Sequence, residues 1–198
     1  MIKRAFDLLV ATILLIFLAP LFLLFIIIIR VGSNGPAFYL QTRVGLHGKD
    51  FKIFKFRTMF TGSDKKGLLT VGGKDQRITP AGVFLRKYKL DELPQLINVF
   101  IGDMSLVGPR PEVRKYVDLY KDEQLRVLDV KPGITDYASI EYSNENELLA
   151  GADDPEKEYI NTIMPAKLKL NLKYIAEKSL ITDLKIILRT LAKIISGD

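Results

Sequence analysis

LDELPQLINVFIGDMSLVGPRP, residues Leu90 to Pro111, sets the organisation of this chain. Leu93, Leu96, Ile97 and Phe100 recur at helical spacing and predict a helix with one core-facing stripe. Gly102 ends it, and Gly108-Pro-Arg-Pro111 forces a rigid turn that carries Arg110. Asp91 stands where the N-cap of this helix is expected, with Glu92 and Pro94 in its first turn, where a missing N–H costs little. Such a pair of acids is ordinarily structural, worth ~1 kcal/mol as a cap. The chemical reading needs surroundings. A carboxylate can attack phosphorus and split a hard displacement into two easier ones, and a second carboxylate beside it can hold Mg²⁺ together with substrate phosphate oxygens. Candidate cations for neutralising those phosphates are Lys55, Arg86 and Arg110.

Upstream, Thr79-Pro80 reads as a helix start with its cap. Ala37 to Arg43 and Phe51 to Thr58 read as two extended segments joined by the glycine-flanked loop at His47, a short β-hairpin. The cations of the second segment, Lys52, Lys55 and Arg57, are expected on a solvated strand face or beside lipid headgroups. Residues 61–76 are polar and glycine-rich and read as a loop. Leu8 to Ile29 carries no charge and, as a helix, covers roughly 33 Å, enough for a hydrocarbon core. Pro20 near its middle predicts a kink, and positive charge at both ends (Lys3, Arg4, Arg30) leaves a kinked span and a re-entrant hairpin both open.

Downstream, Glu112 to Val130 has helical periodicity, Pro132-Gly-Ile-Thr135 reads as a second turn, and Asp153-Asp154-Pro155 as a second cap. The end of the chain, Asp183 to Ile195, places Leu184, Ile187, Leu188, Leu191, Ile194 and Ile195 opposite Lys185, Arg189 and Lys193, the pattern of an interfacial helix. The expected fold is α+β and mainly helical: a membrane anchor over 1–35, then one compact domain over 36–198 holding the hairpin and amphipathic helices. With 198 residues and a net charge of +6, the chain suits one domain with anionic partners. It has no cysteine and one histidine, which excludes thiolate chemistry, cysteine-ligated zinc and a histidine triad, so any metal is held by oxygen. Phenylalanines lie in apolar runs rather than between cations, against a nucleic-acid platform.

Taken together, the apolar helix with its central proline, KFRTM (Lys55 to Met59), LDELPQLINV (Leu90 to Val99), GDMSLVGPRPE (Gly102 to Glu112) and KPGIT (Lys131 to Thr135), in that order, resemble the monotopic phosphoglycosyl transferases, bacterial sugar transferases in their minimal form. The resemblance implies transfer of a sugar 1-phosphate from a UDP-sugar to polyprenyl phosphate, with release of UMP, through a covalent phosphosugar enzyme. It implies Asp91 as nucleophile, Glu92 as the acid that places Mg²⁺, Lys55, Arg86 and Arg110 as phosphate-binding residues, and Pro20 as the break of a helix–break–helix anchor that enters and leaves one leaflet. The same resemblance places the protein on the cytoplasmic face of the bacterial inner membrane, in exopolysaccharide, lipopolysaccharide or other glycoconjugate assembly, with the sugar and any homo-oligomer left open. The chain departs from many members at Asp136-Tyr-Ala138, and the acidic stretch Glu141 to Ala150 is expected to shape the sugar pocket. Two other classes compete: a membrane-anchored basic adaptor without catalysis, and a metal-dependent phosphatase.

Overall fold

The computed structural model describes residues 2–63 and 75–196, so most of the loop expected over 61–76 lies outside the described residues. Its order is α1 (Ile2–Gly32), β1 (Phe38–Val44), β2 (Asp50–Phe56), α2 (Pro80–Lys87), α3 (Gln95–Ile101), β3 (Ser105–Val107), α4 (Arg114–Val117), β4 (Gly133–Thr135), α5 (Tyr137–Glu141), α6 (Glu145–Ala150), α7 (Pro155–Glu158), α8 (Met164–Glu177) and α9 (Leu180–Ser196). The protein is mainly helical, with one antiparallel hairpin, β1–β2, in register Phe38 opposite Phe56 and Val44 opposite Asp50. A second pair, β3–β4, is parallel. It replaces the turn expected at Pro132-Gly-Ile-Thr135. Gly108 and Gly133 explain the close approach: a Cβ on Gly133 would lie 2.1 Å from the Gly108 nitrogen.

Helix α1 runs through Pro20 without interruption. The helix–break–helix expected there is therefore one helical run, because proline deletes a single i to i−4 bond while the turns on either side keep theirs. Both halves of α1 pack on the rest of the chain. Ala11 enters the central core with Ile53, Leu96, Val99, Met104, Leu106, Tyr174 and Ile186. Phe22, Phe25 and Ile29 close over Phe56 and Leu85, with the Phe22 and Phe56 rings edge to face at 5.2 Å. A third core joins α4, α8 and the turn between α7 and α8 through Tyr116, Val127, Tyr159 and Leu168. The opposite face of α1 is bare: Ile16 and Phe17 are 72% and 78% exposed.

Polar side chains fasten α1 at both ends. At its foot Lys3 donates to the Val107 carbonyl (3.1 Å) and pairs with Asp183. Arg4 donates to the Val99 and Phe100 carbonyls, capping the C-terminus of α3. Asp7 accepts from Ser105 Oγ at 2.7 Å and from the Leu106 N–H at 3.4 Å. At its other end Arg57, expected on a solvated or headgroup-facing stripe, is instead buried, donating to the Ser33 carbonyl at 2.8 Å and the Ser33 hydroxyl at 3.0 Å. It satisfies carbonyls that the helix end would leave unpaired.

Several local expectations hold. Thr79 Oγ1 accepts from the Gly82 N–H at the start of α2, Gly102 closes α3 in the left-handed region (φ 100°), and Asp154 caps α7. Glu112 to Val130 does not form one helix. It holds the short α4 and a 3₁₀ stretch over Asp122–Asp129, separated by an extended Lys121. In α9, Asp183 and Ile186 face inward and Leu184, Leu188, Leu191 and Ile195 face outward.

Candidate active site

Asp91 is not a helix cap. It lies in a 3₁₀ turn, Leu90–Glu92, entered through Lys89 in the left-handed conformation (φ 55°), and α3 begins only at Gln95. The reversal at Lys89 separates α2 from the turn and brings the two acids beside β2. That placement is fixed from below by Asn98, whose Oδ1 accepts from the Phe54 N–H (2.9 Å) and whose Nδ2 donates to the Lys52 carbonyl (2.7 Å), so α3 grips β2 as a neighbouring strand would.

Of the candidate residues, Lys55, Glu92 and Arg110 meet directly. Lys55 Nζ donates to Glu92 Oε1 at 3.0 Å, and Arg110 forms a forked pair with both Glu92 oxygens, Nη1 to Oε2 at 2.9 Å. Arg110 reaches this position because its backbone N–H is held by Asp136 (3.1 Å), which also caps α5 by accepting from the Ser139 N–H. Asp136 is fully buried and was not singled out by the sequence as a site residue; its only signal was departure from the family pattern. Arg86 Nε donates to Thr58 Oγ1 at 2.9 Å, next to the acids rather than on them. Pro20 is in α1, apart from this cluster.

The two neighbouring acids behave differently. Burial raises the Glu92 carboxyl, but Arg110 and Lys55 outweigh it and hold Glu92 well below the ordinary range. Asp91 is buried, 8% exposed, and accepts a hydrogen bond from no other described residue. Burial and the Glu92 charge push its carboxyl upward, against the pull of Lys55 and Arg86. Burial pulls the Lys55 ammonium down despite Glu92, while Glu92 raises Arg110.

Asp91 opens into a cleft of about 400 Å³, lined also by Lys55, Arg86, Thr58, Arg77 and the β1 side chains Tyr39, Gln41 and Arg43. Its cations outnumber its acids, which suits a diphosphate. The stretch Glu141 to Ala150 does not line it. Glu145 pairs with Lys167 at 2.6 Å instead, bracing α6 on α8. Arg43, the end of the first extended segment, was not among the candidate site residues, yet its guanidinium joins β1 to the Pro111 carbonyl (3.1 Å) and to Glu112 (2.8 Å), tying the hairpin to the Arg110 turn. For magnesium, the donor set at hand is Asp91 in a cationic cleft with Glu92 next to it in the chain, with no group of three or more ligating side chains among the described residues. That set fits an ion that takes one or two carboxylates and completes its shell with water and phosphate oxygens.

Comparison with known proteins identifies the family. The profile of the bacterial sugar transferases matches residues 1–197, and the chain belongs to that family. It is 40% identical over 197 residues to "Uncharacterized sugar transferase EpsL" of Bacillus subtilis, an alignment covering 100% of this chain and 89% of that protein. It is 38% identical to the UDP-N-acetylgalactosamine-undecaprenyl-phosphate N-acetylgalactosaminephosphotransferase of Aeromonas hydrophila, over 99% of this chain and 44% of that one. The UDP-glucose:undecaprenyl-phosphate glucose-1-phosphate transferase of Caulobacter vibrioides is also 38% identical, over 99% of this chain and 70% of its own length. The chain thus spans nearly all of one such relative and less than half of another.

Proposed function

We propose that this protein transfers a sugar 1-phosphate from a UDP-sugar to polyprenyl phosphate, and that Asp91 carries the sugar phosphate between the two. The observation that supports this most is the pairing of unlike acids: a buried Asp91 without a described hydrogen-bond donor beside a Glu92 held by Lys55 and Arg110. A carboxylate short of donors keeps its lone pairs for attack, and fixed cations await the charge that develops on the phosphates. In the first displacement an Asp91 oxygen attacks the phosphorus bearing the sugar, the bond from that phosphorus to the bridging oxygen breaks, and UMP leaves with the electron pair. In the second, a phosphate oxygen of polyprenyl phosphate attacks the same phosphorus and the bond to Asp91 breaks, giving the polyprenyl diphosphate sugar and restoring the carboxylate. Arg110 and Lys55 hold Glu92 and lie where they can share the substrate phosphates; Arg86 lines the approach. Glu92 and Asp91 would hold Mg²⁺, which supplies charge neutralisation on the diphosphate when bound.

The membrane reading rests on α1. Its bare face exposes many large apolar side chains, as do the outward leucines and isoleucines of α9. Residues 3, 4 and 7 at one end and 29 and 33 at the other are bonded to the same body of protein. A straight span through the bilayer would separate those ends by the membrane thickness. We therefore infer that α1 stays a continuous helix with its bare face in one leaflet rather than crossing the bilayer, with the cleft on the cytoplasmic side where a UDP-sugar is available and the lipid phosphate at headgroup depth.

The test is direct. Full-length protein in detergent or nanodiscs, given a UDP-sugar panel, undecaprenyl phosphate and Mg²⁺, should release UMP with at least one donor, and intact mass should show a phosphosugar adduct that Asp91→Asn lacks. No UMP from any donor would sink the proposal.

A further inference from the structure

One wall of the cleft has a character unlike the rest. Alternate residues of a strand share a face, so Tyr39, Gln41 and Arg43 project together from β1, and all three line the cleft. Tyr39 lies directly opposite Lys55 in the hairpin register, so this face runs along the strand from Lys55, with Gln41 about 7 Å and Arg43 about 14 Å further along. Arg43 Nε and Nη2 both donate to Gln41 Oε1, at 3.0 and 2.8 Å. A guanidinium can only donate, so these two bonds fix the amide: oxygen toward Arg43, NH₂ away from it. Among the described residues that NH₂ has no partner. Arg43 is in turn held by Glu112 and the Pro111 carbonyl, so its charge is already neutralised.

This wall of the cleft thus has its one charge neutralised, offers a pre-oriented amide donor, and sets an aromatic side chain one pleat away. Phosphates belong beside Asp91, where Lys55 and Arg86 line the cleft. A sugar ring, whose hydroxyls need donors and acceptors alike, matches a donor-only amide poorly. A flat ring edged with carbonyl oxygens matches it well. Building on the UDP-sugar reading above, we propose that Tyr39 and Gln41 form the subsite for the pyrimidine base of the donor, the base packing on Tyr39 and its C4 carbonyl accepting from Gln41 Nε2, with Arg43 as the residue that orients Gln41.

Binding of UMP, CMP and ribose 5-phosphate to the solubilised full chain tests this, alongside steady-state kinetics. Wild type should bind UMP more tightly than CMP and far more tightly than ribose 5-phosphate. Gln41→Ala should weaken UMP about tenfold and erase the preference over CMP, while ribose 5-phosphate binding and KM for polyprenyl phosphate stay unchanged. Gln41→Glu, which keeps the size and still accepts from Arg43, should swing the preference toward CMP, whose exocyclic amine can donate. Tyr39→Ala should weaken UMP and CMP together. Unchanged UMP affinity in Gln41→Ala would overturn the assignment, as would an equal loss of UMP and ribose 5-phosphate, or a KM increase confined to acetamido-sugar donors. Failure of wild type to bind UMP at all would instead overturn the UDP-sugar reading on which the subsite rests.

Discussion

At the foot of α1, Asp7 and Asp183 are buried and all four of their carboxylate oxygens have donors: Ser105 Oγ and the Leu106 N–H for Asp7, Lys3 and Tyr174 for Asp183. In the cleft, Asp91 is also buried and no described residue donates to it, while its neighbour Glu92 is held on both oxygens. Burying a carboxylate without donors costs several kcal/mol unless nearby charge offsets it, so the foot of α1 is built for stability and the cleft is not. The contrast shows where the fold leaves an acid to which no other described residue donates, facing a cleft, as is expected at a reacting centre.

The largest effect should come from removing the cleft acid, Asp91. Asp91→Asn is expected to lower turnover at least about 10³-fold and abolish the covalent adduct. Its thermal midpoint should stay level or rise, because a largely buried charge to which no other described residue donates is gone. A clear fall in midpoint would erase the distinction between the two regions. Glu92→Gln should act on both counts, lowering turnover about 10²-fold and destabilising by about 1–2 kcal/mol, since Lys55 and Arg110 lose their partner in a cleft still partly open to water. At the foot, Asp183→Ala should do the reverse of Asp91→Asn. Stripping Lys3 and Tyr174 of their partner is expected to cost about 2–3 kcal/mol in the thermal midpoint, with turnover per folded molecule within about threefold of wild type.

These regions were unequally legible in the sequence. The hairpin, the Thr79 and Asp154 caps, the Gly102 stop and the apolar helix follow from local patterns that carry their own cause, and each stands where expected. Asp91, Glu92, Lys55 and Arg110 could be named from the motifs, and Lys55, Glu92 and Arg110 do meet. What failed was anything set by long-range pairing. Asp91 reads as a cap because Asp before an apolar stripe usually is one; the left-handed Lys89 that moves it into a 3₁₀ turn leaves no residue-type signal. Lys3, Arg4 and Asp7 look like ordinary flanking charges until β3, α3 and α9 arrive beside them. Asp136, Asn98 and Arg43 act on backbone groups 26, 44 and 68 positions away in sequence, a range at which spacing carries no information.

The smallest predicted effect is a displacement in pH, and it tests the comparison within the cleft itself. Asp91 has its folded pKa raised above its ordinary 3.8, so it protonates first as pH falls, and protonation relieves rather than damages the fold. Glu92 has its folded pKa depressed below 4.5, so its contribution to stability is complete above that value and is lost only as pH falls through the lower folded value. Activity should therefore disappear before structure, leaving a folded, inactive, reversible state between the two titrations. Parallel profiles of kcat/KM and far-ultraviolet circular dichroism check this. Coincident losses would mean that Asp91 is not the group controlling the acid limb. Because the Glu92 charge itself helps raise Asp91, the residual activity of Glu92→Gln should keep its acid limb but move it to lower pH. A limb that stayed in place would assign the shift in Asp91 to burial alone.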